Sequence, residues 1–158
     1  MTSPSDAEVL VIGVGNALRG DDAAGMLAVK LMRERNSPSI YVTEHDGEGA
    51  SLMETWTGER TVIVVDAAWS DSPPGTIERF DATQQPLPGK LFQRSTHAFG
   101  LHEAVELSRA LNRLPRRLII YGIRAKSFEI GAPMSDHVEK AVRAVVERIL
   151  EESRDGHF

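Results

Sequence analysis

The sequence predicts an α/β domain built in three layers, with helices covering both faces of a five-stranded, mostly parallel mixed sheet. Two observations carry this. Short apolar runs of the kind that form buried strands alternate along the chain with longer stretches of helical periodicity, the pattern of strand–helix–strand units. One further run alternates apolar and polar residues instead, as a half-exposed edge strand does.

Val9-Leu10-Val11-Ile12 is the first strand, continuously apolar and closed by Gly13. A helix over about 22–35 follows, with Ala24, Leu27, Ala28 and Leu31 on its inner face and Lys30, Arg33 and Glu34 pointing elsewhere. Ile40-Tyr41-Val42-Thr43 is the second strand, and a short helix around 49–57 carries Leu52, Met53 and Trp56. Val62-Ile63-Val64-Val65 is the clearest strand and ends in Asp66. Thr76-Ile77-Glu78-Arg79-Phe80 is the alternating run, and the short 67–75 connection before it predicts an antiparallel edge strand. Residues 82–96 contain Pro86, Pro88 and Gly89 and read as a long loop, a kind of segment that is often functional in a compact domain. A helix over about 98–112 buries Leu101, Ala104, Val105, Ser108 and Leu111. Leu118-Ile119-Ile120-Tyr121 is the fifth strand. The last helix, about 135–151, has Ser135 as its N-cap and Val138, Ala141, Val142, Val145 and Ile149 as its buried stripe.

A chain of 158 residues suits a single domain over 1–158, with a core from about 8 to 150 and polar tails at 1–7 and 153–158. There is no internal repeat. The chain has no cysteine, which excludes disulfides, zinc fingers, iron–sulfur ligation and thiol catalysis within it and fits a reducing cytoplasm. A net charge of −5 argues against a nucleic-acid surface, and the one compact basic cluster, Arg113, Arg116 and Arg117, reads as a solvated helix end. The start of the chain has neither a basic segment nor a long apolar run, so neither a secretory signal nor membrane insertion is expected.

In open α/β sheets, sites form beyond the carboxyl ends of the parallel strands. That edge collects Gly13, Gly15, Asn16, Asp21 and Asp22 after the first strand, then His45, Asp46, Gly47 and Glu48 after the second. Asp66 and Trp69 follow the third strand, Arg124 and Lys126 the fifth, and His97 lies in the loop entering a helix. Asp21 or Asp22 can serve as a helix cap. Two acids in succession instead suggest that one caps while the other faces a cleft. Asp66 at the lip of a buried strand is either a loop acceptor or a ligand or acid/base group, because desolvating a lone carboxylate is costly. His97 is either a packed residue at a helix start or a neutral imidazole able to bind metal. His102 reads as solvated or supporting, His137 and His157 as surface residues, and His45 as a polar strand end that could also be a ligand. Asn16 is either a turn former or an orienting group for an acid or a cleaved carbonyl. Two carboxylates and an imidazole suit a borderline divalent metal and leave coordination positions open.

Gly13-Val14-Gly15-Asn16-Ala17-Leu18-Arg19-Gly20 lies between a strand and a helix and invites a nucleotide-binding reading. Leu18 stands where the third glycine of that fingerprint belongs, although Glu44 or Asp46 superficially fits the ribose-binding acid. Asp21 and Asp22 also stand where a pyrophosphate would have to bind, and like charges would repel it.

Taken in order, the segments Gly13-Val14-Gly15-Asn16 with Leu18, Asp21-Asp22 and Gly25, then Asp46-Gly47-Glu48-Gly49, Asp66-Ala67, and Ser95-Thr96-His97-Ala98-Phe99-Gly100-Leu101 with Glu103-Ala104 resemble the peptidases that mature the large subunit of nickel–iron hydrogenases. The resemblance spans about residues 8–150. In the second block Glu48 and a shifted glycine depart from the family's pattern, and Asp22 stands where glutamate is frequent, an arm shorter by one methylene. The resemblance implies a three-layer α/β/α sandwich around a five-stranded mixed sheet. It also implies removal of a C-terminal peptide from the large-subunit precursor, and nickel contacted by Asp22, Asp66 and His97 and supplied by that precursor. Asp22 and Asp66, with Asn16 in support, are then the candidate catalytic residues. A non-cleaving nickel-sensing or chaperone-like binder on the same fold is the alternative. No serine–histidine–acid pattern, no H-E-x-x-H and no cysteine nucleophile points to another protease chemistry.

Overall fold

A computed structural model describes residues 8–56, 58, 60–92 and 97–155. Five strands are present: β1 (Val9–Val14), β2 (Ile40–His45), β3 (Thr61–Ala68), β4 (Ile77–Asp81) and β5 (Arg117–Arg124). Four α-helices accompany them: α1 (Ala24–Arg35), α2 (Gly49–Thr55), α3 (Leu101–Ala110) and α4 (Asp136–Asp155). The strand order is β2-β1-β3-β5-β4. All neighbours are parallel except β4, which runs antiparallel to β5 at the edge. The mixed sheet and the reversed edge strand are those expected from the sequence.

Side chains alternate across a strand, and here each parity builds its own core. Val9, Val11, Ile63, Val65, Ile119 and Tyr121 pack with Ala28 and Met32 of α1 and Val138, Val142, Val145 and Ile149 of α4. Leu10, Ile12, Val62, Val64, Leu118 and Ile120 pack with Leu52 and Trp56 around α2 and with Leu101, Ala104 and Val105 of α3. Near-continuous apolar strands follow directly from a sheet covered on both faces. Ser108 is polar yet wholly buried because its hydroxyl accepts from the Trp56 indole N–H at 3.3 Å.

Several boundaries differ from expectation. The first predicted helix is a turn of 3-10 helix, Gly20–Ala23, running into α1. Its most buried face is Ala24, Gly25, Ala28, Val29 and Met32, while Leu27 and Leu31 only flank the core. The close approach explains this: a Cβ on Gly25 would lie 2.2 Å from the Val14 carbonyl oxygen and 2.7 Å from that of Val65. The helix therefore rests on the sheet through its backbone, and its leucines are pushed to the sides. α3 is shorter than predicted at both ends, so Leu111 lies beyond it, 53% exposed. The long loop contains a 3-10 turn, Gly89–Phe92, and residues 93–96, including Ser95 and Thr96 of the histidine motif, lie outside the described residues, as do 1–7 and 156–158, with His157. Residues 153–155, expected in a polar tail, instead belong to the last turn of α4. Arg117 belongs to β5 and pairs with Asp81 at 3.4 Å, so the basic triplet is no single helix end. Among the described residues no helix is long and apolar enough to cross a membrane.

Candidate functional site

The chain leaves β1 toward β2 on one side and returns to β3 on the other, so β1 and β3 diverge at a topological switch point. A cavity of about 290 Å³ opens there, at the carboxyl ends of both strands. Its walls include Asn16, Arg19, Asp22, Asp46, Asp66 and His97, with Trp69, Phe92, Leu101 and Phe128 as the main apolar surfaces.

The glycines of the first loop place Asp22. A Cβ on Gly13 would lie 2.1 Å from the Gly25 carbonyl oxygen, and one on Gly15 (φ +148°) would lie 2.0 Å from that of Asp22. The Asn16 N–H donates to the Asp22 carbonyl at 3.0 Å, and the Asn16 side-chain oxygen accepts from Leu18 N–H at 2.9 Å. The segment that resembles a phosphate loop is thus packed chain on chain. Asn16 has the turn-forming role, although it also borders the cavity.

Asp21 and Asp22 divide their labour, but neither caps a helix. Asp21 is 1% exposed. Its carboxylate accepts from Lys126 N–H (2.6 Å), Ser127 N–H (3.1 Å), Ser135 N–H (2.7 Å) and the Ser135 hydroxyl (3.0 Å). Ser135 precedes α4 as expected, with its hydroxyl turned to Asp21. Asp22 faces the cavity. Burial pushes its carboxyl above the ordinary carboxylate range, against opposing effects from Arg19 and the Asn16 N–H.

Asp66 does not end its strand. It lies within β3, opposite Gly122 of β5, and shares the parity of Val62, Val64 and Ala68. A carboxylate thus occupies a position that the alternation reserves for an apolar side chain. The residue is half-buried, and it lines the cavity. Burial first, then the Asp22 charge, raises its carboxyl well above the ordinary value, with the Ala67 N–H opposing. Gly122 leaves room beside it: a Cβ there would lie 3.3 Å from the Phe92 ring, which lines the cavity.

His97 lies in the loop before α3, four residues ahead of the first helical residue, Leu101, and so is not at the helix start itself. Its side chain is 29% exposed and its Nε2 is 3.7 Å from Asp46 Oδ2. The loop is pinned beside it, because Gly49 N–H donates to the Phe99 carbonyl at 2.9 Å and a Cβ on Gly49 would collide with the Phe99 ring at 2.1 Å. Glu48 caps α2 by accepting from Ala50 and Ser51 N–H, which holds its pKa below the usual range.

His45 turns away from the cavity. Its Nδ1 accepts from Gly47 N–H (2.9 Å), so Nε2 carries the proton toward Ser51 Oγ (3.0 Å). Burial holds this imidazole below its ordinary pKa despite Asp46 and Glu48 nearby. His102 packs on Gly89 beside Glu103, and His137 is exposed near Gly75. Among the described residues no three His, Cys, Asp or Glu side chains stand close enough together to hold an ion. Asp22, Asp66 and His97 share one cavity without forming a closed cage.

Sequence reasoning gave no role to Arg19, Phe92 or Phe128, all of which line the cavity. Arg19 could have been found from its place between Asn16 and the acid pair. Phe92 and Phe128 arrive from distant loops, with no local signal to mark them.

Residues 26–152 match the family model described as hydrogenase maturation protease. The hydrogenase 2 maturation protease of Escherichia coli is 28% identical over 153 residues, covering 94% of this chain and 92% of that protein. The solved nickel–iron hydrogenase maturation protease HybD of Thermococcus kodakarensis superposes with a TM-score of 0.71 at 28% identity, covering 91% and 97% of the two chains. The E. coli hydrogenase maturating endopeptidase HybD shares the fold with a TM-score of 0.75 at 21% identity, covering 95% and 94%.

Proposed function

The chain belongs to the hydrogenase maturation protease family, and on that premise we propose that it is an endopeptidase that removes the C-terminal peptide of a nickel-loaded nickel–iron hydrogenase large-subunit precursor. The observation that supports its site is the one cavity faced by Asp22, Asp66 and His97 at the β1/β3 switch point.

In this reading the nickel is cargo. The precursor brings it, held by its own thiolates, since this chain has no cysteine to offer. The donors here are two carboxylates and an imidazole, a set that suits a borderline divalent ion. Asp22 and Asp66 repel each other across poorly solvated space, and a divalent cation between them would remove that repulsion. Asp66 must release its proton to bind a metal, so nickel recognition strengthens as pH rises. His97 supplies the third donor once it turns from Asp46.

Docking brings the scissile peptide beside Asp22 and Asp66. Two routes then activate water. The cargo metal polarises the carbonyl or the water, or one carboxylate takes the proton as the other, with its raised pKa, gives one to the leaving amine. The second route gives an aspartic-type peptidase, in which two acids sharing a site hold different protonation states. Asn16 supports the loop that carries Asp22. A cytoplasmic location, where the precursor's thiolates stay reduced, completes the proposal.

The test is incubation with nickel-loaded precursor followed by intact mass measurement. Loss of a defined C-terminal peptide is the expected result. A stable complex of unchanged mass would instead mean a non-cleaving binder on the same fold. Titration with Ni2+ alone should show only modest affinity, since the thiolates belong to the partner. Sub-nanomolar binding without precursor would contradict the cargo reading.

A further inference from the structure

Beside the cavity lies a second, shallower depression of about 360 Å³, lined by Arg19, Trp69, Lys126, Ser127, Phe128 and Glu129. Arg19, Trp69 and Phe128 belong to both, so the two depressions are continuous. Next in sequence to its lining residues Arg19 and Glu129 are the two most exposed large hydrophobic residues among those described, Leu18 at 72% and Ile130 at 83%. They come from loops after different strands, and the Gly131 N–H donates to the Leu18 carbonyl at 2.8 Å, which brings the two loops together. Isolated exposed leucines are ordinary, but two such side chains on joined loops, each adjoining in sequence a residue that lines the depression with Trp69 and Phe128, extend it as an apolar shelf.

The shelf is built as a fixed surface. The Trp69 and Phe128 rings lie 5.9 Å apart, and the Arg124 guanidinium sits 4.2 Å from the Trp69 ring centroid. Asp21 holds Lys126, Ser127 and Ser135 by their N–H groups, which anchors both ends of the loop carrying Phe128 and Ile130. The charge here runs against that of the chain as a whole. Arg19, Arg124 and Lys126 surround Trp69 and Phe128 with Glu129 as the only acid among the lining residues, whereas the chain carries −5.

We propose that this shelf receives an extended stretch of the precursor's chain beside the scissile bond, one bearing a bulky apolar side chain and a carboxylate. This rests on the protease reading above. The occupant follows from three features. The shelf opens directly into the cavity where the scissile bond is placed, so a chain threading that cavity crosses it. Its shallow, open form suits an extended backbone better than an enclosed small molecule. Its apolar patch with flanking cations complements an apolar residue next to an acid.

The experiment compares four proteins in processing nickel-loaded precursor: the wild type, the double variant Leu18→Ser/Ile130→Ser, Lys126→Glu, and Leu111→Ser as a control that loses an exposed leucine elsewhere. The replaced side chains are exposed, and circular dichroism with a thermal melt verifies folding. For the double variant, the precursor concentration giving half-maximal rate should rise roughly tenfold or more, exceeding any fall in turnover, with a smaller rise for Lys126→Glu and none for Leu111→Ser. Unchanged half-saturation in the double variant while the wild type cleaves would overturn the shelf and leave the protease reading intact. A wild-type dimer in sedimentation that the double variant dissolves would assign the shelf to self-association and overturn it too. Should the wild type not cleave, the protease reading fails, and direct binding of nickel-loaded precursor still decides the shelf. Weaker binding by the double variant then supports it, and equal binding overturns it.

Discussion

The Asp21 junction and the Asp22–Asp66 cavity lie side by side, and each takes carboxylate charge out of water. At the junction, three backbone N–H groups and a hydroxyl surround one carboxylate, and solvent is excluded. In the cavity, two carboxylates share one space and burial raises the pKa of both, opposed by Arg19 and the Asn16 N–H at Asp22 and by the Ala67 N–H at Asp66. The junction is fully satisfied and therefore rigid. The cavity is under-satisfied, so the folded chain stores a preference for a cation or a proton there. The satisfied acid is structural, and in the proposed reading the pair lining the cavity carries the chemistry.

The largest effects test the cavity side. Asp22→Asn, Asp66→Asn and His97→Ala should each fold yet slow precursor processing by about a thousandfold or more, in the range found when charge-stabilising groups are removed from active sites. Mass spectrometry of the precursor over time reads this, and normal processing by all three variants would remove the distinction between the two regions. Next comes the packing that supports both. Gly25→Ala puts a methyl 2.2 Å from the Val14 carbonyl and should cost about 3 kcal/mol in urea unfolding, since backbone must move. A cost near zero would mean that α1 can lift from the sheet.

On the junction side, Asp21→Asn turns an acceptor into a donor against N–H groups and should lose about 2 kcal/mol. The loss appears as a lower urea midpoint with unchanged slope. Processing should fall less than in the Asp22 and Asp66 variants, and an equal fall would place Asp21 in the chemistry. The smallest effect has the opposite sign. A carboxyl whose pKa is higher folded than unfolded binds its proton more tightly in the native state. Stability is then full below the unfolded pKa and is lost as pH rises through the raised folded value. Asp66→Asn removes that loss, so its Tm should exceed the wild type's by a few degrees at neutral pH, and the gap should close toward acid pH. A lower Tm at neutral pH would show that Asp66 is structurally satisfied after all.

How far the sequence could be read depended on the range of the interaction involved. Strand and helix periodicities are local, so the five strands and the reversed edge strand were legible. Leu111 was misplaced because the pattern does not say where α3 stops. Asp66 reads as a strand end in the sequence because a carboxylate after four β-branched residues looks like a terminus. The pairing with Gly122 carries β3 past it. The motif glycines were visible, but their use was not: the contacts of Gly13 with Gly25 and of Gly15 with Asp22 exist only once α1 lies on the sheet.

By itself the sequence determined the layers, the sheet edge that gathers polar groups, and the identity of the three residues now sharing a cavity, because these follow from periodicity, strand ends and ordered motifs. The tertiary structure alone decided which of two adjacent acids became structural and which faced the cavity, that His45 turned away, and that Phe92 and Phe128 closed the walls. Those outcomes depend on which loops meet in space. Asp21 is held by residues 105 to 114 positions away in the chain, beyond the reach of any local pattern.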